Sequence, residues 1–136
     1  MSVIERFEDL PVWQEARKFV HAVYQMTKEF PANERHSLTE QMQRAAISTI
    51  SSIAVGFERE TSAAFVNSLH AALCYTSEVR SQTYAALDLW YISQTECDDL
   101  VQHCEKLSRR LRDWIERIER ASPEPGGGWC IEEPAR

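Results

Sequence analysis

Apolar positions along the chain recur at helical spacing, with little of the alternation that marks strands. The most regular run is Cys97, Leu100, Cys104, Leu107, Leu111, Trp114 and Ile118, whose alternating steps of three and four residues make a heptad seam. Val101 and Ile115 widen it into a core-facing stripe. Upstream, Phe65, Leu69, Ala72, Leu73, Thr76, Val79, Thr83, Ala86, Leu87 and Trp90 sustain a second stripe over about seven turns. A third, Trp13, Ala16, Val20, Val23 and Thr27, predicts a helix from about Leu10 to Glu29.

Punctuation supports the same division. Asp9 is the expected N-cap of the first helix, with Pro11 tolerated in its first turn. Pro31 disfavours helical geometry at Phe30 and places a turn in "FPANERH". "SLTE" at Ser37 to Glu40 and "SQTE" at Ser93 to Glu96 read as capping boxes that open the second and fourth helices. Thr61 or Ser62 caps the third. No proline interrupts the chain between Pro31 and Pro123. From Ser122, "SPEPGGGWCIEEPAR" has no period and reads as a flexible tail.

Four long helices on short connections predict an all-α fold: an antiparallel up-down-up-down four-helix bundle over 1–121 with a flexible C-terminal tail over 122–136. Antiparallel neighbours set levels along the bundle. Phe57 should face Phe65, Arg44 should lie level with Glu78, and Trp13 should lie near Ala54.

The second helix is unusual in composition. "RAAISTISSIAVGFER", Arg44 to Arg59, is built mainly of small and β-branched residues and carries no charge between Arg44 and Glu58. Met42, Ala46, Thr49, Ile50, Ile53 and Phe57 form one apolar edge; Ala45, Ser48, Ser52 and Gly56 form a second, of small residues. A helix with so little wet face is one that something covers, another subunit or a ligand. Ser48, Ser51, Ser52, Val55 and Arg59 are therefore the expected contact of a homo-oligomer, the alternative being that Ser and Thr tolerate a poorly hydrated surface.

Composition narrows the function classes. The 136 residues carry a formal charge of −6, which disfavours indiscriminate adhesion to nucleic acid or anionic membranes. No apolar run approaches the ~20 residues of a membrane span, and the start lacks the features of a signal peptide. Cys74, Cys97, Cys104 and Cys130 have no CxxC spacing and read as reduced thiols of a cytoplasmic protein. HExxH, GxSxG and Gly-rich phosphate loops are absent. The expectation is a protein that is not an enzyme and uses no metal or cofactor. His70 and Cys74, four apart, read as packing residues rather than half of a metal site.

Two polar groupings stand out. Arg44, Glu78 and Gln82 come out level on facing helices, either as a shared polar site or as a structural pair between helices; the structural pair is favoured. In "KLSRRLRDWIERIER", Lys106, Arg109, Arg110, Arg112, Arg117 and Arg120 outnumber Asp113, Glu116 and Glu119. Arg109, Arg110, Arg112 and Arg120 are the candidate face for RNA or DNA; the interspersed acids equally fit a solvated helix face.

"FEDLPVWQEA" (Phe7–Ala16), "LTEQMQRAAIS" (Leu38–Ser48), "IAVGFER" (Ile53–Arg59) and "SEVRSQTYAALDLWYIS" (Ser77–Ser93) together resemble the four-helix bundle family of 23S rRNA intervening-sequence proteins, or S23-type proteins. The resemblance covers nearly everything from Phe7 to Ile118. It implies a cytoplasmic four-helix bundle, a homo-oligomeric ring, typically a pentamer, and no established biochemical role. Relatives serve as accessory proteins of diversity-generating retroelements, associating with a reverse transcriptase and nucleic acid. The usual central pattern resembles S-I-P-x-N-I-A-E-G; here "STISSIAVG" puts Ile50, Ser52 and Val55 where Pro, Asn and Glu are common. The missing Pro implies a straighter second helix.

Overall fold

The computed structural model describes residues 2–121 and 127–131. Four helices dominate: α1 (Pro11–Thr27), α2 (Leu38–Phe57), α3 (Ser62–Asp88) and α4 (Gln94–Arg120). α1 packs on α2 and α4, and α3 packs on the same two, which makes the expected antiparallel bundle. Two three-residue strands, β1 (Ser2–Ile4) and β2 (Trp129–Ile131), pair antiparallel, Ser2 opposite Ile131.

α4 keeps its heptad seam: all seven positions from Cys97 to Ile118 are buried, as are Val101 and Ile115. α3 buries Phe65, Val66, Leu69, Ala72, Thr76, Val79, Thr83 and Ala86. The buried threonines cost little because each hydroxyl donates to the carbonyl one turn back: Thr27 to Val23, Thr49 to Ala45, Thr76 to Ala72 and Thr83 to Val79. The Thr27 hydroxyl also accepts from Gln43 Nε2 at 3.0 Å, tying α1 to α2.

Three expectations are corrected. α1 buries Ala16, Val23 and Thr27 as read, but Val12 and Phe19 complete its core face in place of Trp13 and Val20, which are half-buried. Trp13 instead stacks beside Phe7 at 5.2 Å, with the Arg17 guanidinium 5.7 Å over its ring. Capping also differs. Leu10, not Asp9, is the N-cap residue of α1, and the Ser37 side chain makes no capping bond. α2 is capped from outside by Glu34, whose carboxylate accepts from Leu38 N at 3.1 Å and from the Tyr91 hydroxyl at 2.8 Å. Those two bonds hold the Glu34 carboxyl below its usual range. The box at Ser93 and Glu96 and the Thr61 cap form as read.

The third correction is at Trp90. It does not continue the α3 stripe but stands in the α3–α4 turn, 92% exposed and with φ 64°. Its N–H bonds to Leu87 O and that of Tyr91 to Ala86 O, the paired bonds of a Schellman ending. Glycine is the usual residue at that left-handed position.

Of the stretch read as a flexible tail, 122–126 and 132–136 lie outside the described residues. Gly127–Ile131, however, is tied to the bundle. Trp129 is 1% exposed, its ring lies 5.1 Å from that of Phe65, and its Nε1–H donates to Phe57 O at 3.2 Å. Gly128, with φ 86°, admits this approach: a Cβ there would meet Ile4 O at 2.6 Å.

Candidate functional site

α2 and α3 are drawn together at Gly56. A Cβ on that residue would meet Ser68 Cβ at 2.6 Å and Phe65 Cδ1 at 3.0 Å, so only glycine permits this packing. Phe57 and Phe65 lock edge to face beside it, centroids 6.1 Å apart, as the levels predict. The small-residue edge of α2 therefore serves first a contact within the chain.

Outside that contact the two helices leave an open groove of about 510 Å³. All five residues read as an oligomer contact, Ser48, Ser51, Ser52, Val55 and Arg59, line its α2 side, and Ala64, Asn67, Ser68, Ala71 and Tyr75 line its α3 side. Val55 is 49% exposed and Ile47 nearby 43%. Small side chains make the floor; the walls mix apolar surface with hydroxyl and amide groups.

The groove continues toward the α3–α4 turn as a second depression of about 330 Å³, sharing Ser48 and Tyr75. Arg44, Glu78 and Gln82 line it together, so the structure brings this trio onto one surface. It does not join them as a buried pair. The Arg44 guanidinium goes to Glu40 at 2.7 Å, both partners substantially exposed. A pair of that kind contributes little to stability. Glu78 is exposed, and Gln82 Oε1 is buried without a hydrogen-bond partner.

The basic run on α4 divides. Arg109, Arg112 and Arg120 share an outward face, on which Arg120 lies 3.7 Å from Glu116. Arg109 and Arg112 make no ion pair among the described residues. Arg110 sits about 100° around the helix from Arg109. It is half-buried, on the side where Lys106 meets Glu15 at 3.8 Å, so it does not belong to that face.

His70 and Cys74, read as packing residues, are instead both exposed on the outer face of α3. Among the described residues no three of His, Cys, Asp or Glu cluster as a metal site. Burial pushes the Cys104 thiol up to about 12, which suits a packing residue rather than a nucleophile. On the α1 side of α4, burial lowers His103 below its ordinary 6.5; its ring meets Phe19 edge-on at 5.6 Å. Among the described residues no helix is long and apolar enough to cross a membrane.

Two features were not singled out from sequence. One is the outward face of α1, where Arg17, Lys18 and His21 flank Trp13 around a depression of about 540 Å³. The other is the exposed indole of Trp90. A helical wheel of α1 carries the first; nothing local marks the second, because Trp90 continues the apolar period of α3.

The architecture defines a four-helix bundle protein with a shallow groove between two helices. The profile of the 23S rRNA-intervening sequence proteins matches residues 8–113, more than half of the chain, and the protein belongs to that family. Among solved structures it is similar to a protein of unknown function from the S23 ribosomal protein family of Bacteroides thetaiotaomicron, with a TM-score of 0.70 and 20% identity. That likeness covers 77% of this chain and 98% of the other, and shows the fold. Comparison with curated proteins finds no match. The matched region ends at 113, ahead of the Trp129 strand.

Proposed function

We propose that this protein is a non-enzymatic scaffold that acts as a homo-oligomer, its subunits meeting along the outer side of α2. The observation that carries this reading is the groove from Ser48 to Arg59. Its α2 wall has no charge between Arg44 and Glu58, and it exposes Val55 beside a floor of serines and alanines. A helix face with no charge over more than three turns is one that another surface usually covers. A heterologous contact repeated around a ring closes without open ends; the family resemblance gives five copies.

Light scattering after size exclusion tests it. The wild type at tens of micromolar should have the mass of several chains. Ser51→Glu or Val55→Lys, each at an exposed position, should shift that mass toward one chain while far-ultraviolet dichroism stays helical. A wild-type protein that remains monomeric overturns the proposal.

A second reading is an accessory role on RNA or DNA, beside a partner such as a reverse transcriptase. It is favoured by the exposed Arg109 and Arg112, which make no ion pair among the described residues. Binding through them should be weak and salt-sensitive. Absence of binding to single-stranded and structured RNA even at low salt removes it.

A further inference from the structure

The outward side of α1 carries a stripe that the bundle does not use. Trp13, Arg17, His21, Tyr24 and Lys28 follow at steps of four, four, three and four residues. They therefore share about 80° of the helix surface. Rings and cations are interleaved along it. Arg17, His21 and Lys28 are exposed, Tyr24 is 40% exposed, and the half-buried Trp13 lies under the Arg17 guanidinium at 5.7 Å. At its Trp13 end the stripe borders the depression of about 540 Å³.

The charge of this surface is one-sided. The chain as a whole carries −6, yet α1 turns no carboxylate toward the stripe. Glu15, the single acid between Pro11 and Thr27, lies on the opposite flank, 3.9 Å from Lys18 and 3.8 Å from Lys106 of α4. Glu29 follows Lys28 about 100° further round the axis. Glu8 reaches the depression from the preceding turn, where Arg6 holds its carboxylate. Arg17, His21 and Lys28 form no ion pair among the described residues. An ordinary solvated helix face sets acids among its bases at i,i+3 and i,i+4; this stripe has none.

Cations alone would suit any polyanion. Ring faces set between them select one whose charges alternate with flat apolar groups, which is the chemistry of a single nucleic-acid strand. Its phosphates meet the cations, and its unstacked bases lie on aromatic rings or on a guanidinium plane. A duplex hides its base faces, and an acidic peptide need carry none. From Trp13 to Lys28 the stripe runs about 22 Å, room for about four nucleotides. We infer that the outward stripe of α1 is a track for single-stranded RNA or DNA. Tyr24 and the Arg17 plane over Trp13 take bases, while Lys28 and the edge of Arg17 take phosphates. The track is separate from Arg109 and Arg112 on α4 and goes beyond the reading given to them.

Fluorescence anisotropy on the full chain tests it, with labelled oligouridylate and oligothymidylate of about eight nucleotides, the two arms separating RNA from DNA. At low salt the wild type should bind at least one of them, and bind it more tightly than the same length of duplex. Tyr24→Ala should weaken binding about tenfold with unchanged helical dichroism, and Tyr24→Phe, which keeps the ring, should not. Arg17→Gln with Lys28→Gln should flatten the salt dependence by about 1.4 in log–log slope. Arg109→Ala with Arg112→Ala should leave affinity for the single strand unchanged. No binding of either strand at low salt, equal binding of duplex, or equal displacement by polyglutamate overturns the track. Loss through the α4 pair with none through Tyr24, Arg17 or Lys28 also overturns it, and leaves the α4 reading standing.

Discussion

The indole N–H of Trp129 donates to the main-chain carbonyl of Phe57 across 72 positions of sequence. Phe57 is the last residue of α2, where carbonyls have no partner within the helix. One side chain thus caps α2 and fills the space against Phe65. Trp129→Ala removes both and should cost about 3–5 kcal/mol. Urea unfolding followed by helical dichroism measures it; a change below about 1 kcal/mol would mean that the strand rests on the bundle without supporting it.

Gly56→Ala sets two effects against each other. Alanine favours the helix by about 1 kcal/mol. Its Cβ, however, would come 2.6 Å from Ser68 Cβ, and that atom is rooted in the α3 backbone. Forced separation of the helices dominates, for a net loss of about 1–3 kcal/mol. Adding Ser68→Gly should recover part of the loss, and the double-mutant cycle reads the coupling.

Trp90→Gly should stabilise the monomer. The position has φ 64°, and relieving the left-handed penalty is worth about 1 kcal/mol. Little packing is lost because the side chain is almost wholly in water. Thermal unfolding at low protein concentration should show a higher midpoint for Trp90→Gly than for wild type, and a lower one for Trp90→Val, whose β-branched side chain tolerates positive φ poorly.

Acid should destabilise the fold through two groups. Glu34 has a lowered pKa, so its contribution is present above the unfolded value near 4.5 and is lost as pH falls through the folded value. His103 is a base whose folded pKa is lowered by burial. Its neutral form favours the fold above 6.5, and that advantage shrinks as pH drops below 6.5 toward the folded value. Stability curves should therefore fall in two stages. His103→Gln should flatten the first, between 6.5 and the acid range, and Glu34→Gln the second. A wild-type curve flat from pH 7 to pH 5 would refute the histidine assignment.

What was legible in the sequence follows from how local each signal is. The α4 seam and the Ser93 box depend on residues within one helix and read directly. The α1 stripe was read through Trp13 by its spacing alone; Phe7 and Arg17 give that ring partners outside the core. Ser37 had the right neighbours for a cap, but Glu34 reaches Leu38 N from the preceding turn. Of the groove, Ser48, Ser51, Ser52 and Val55 stood out because α2 carries no charge between Arg44 and Glu58, and Arg59 follows them just past the helix end. Their α3 counterparts, Asn67, Ser68 and Ala71, were hidden because small polar residues carry no period. The Trp129 strand was obscured by its setting: three apolar-rich positions after a glycine run look like linker until Ile4 and Phe65 are placed beside them.

The pairing of β1 with β2 also orders events in time. Consecutive helices meet their sequence neighbours, so most of the bundle can assemble from short loops and should do so fast. Ser2 and Ile131 lie far apart in sequence, so their pairing waits until the bundle has brought the two strands together. The clasp is thus the last piece to arrive in refolding and the first to open in the native state. Amide hydrogens of Cys130 and Ile131 should exchange well ahead of those in the middle of α4, so the molecule spends part of its life with its helices formed and its ends apart.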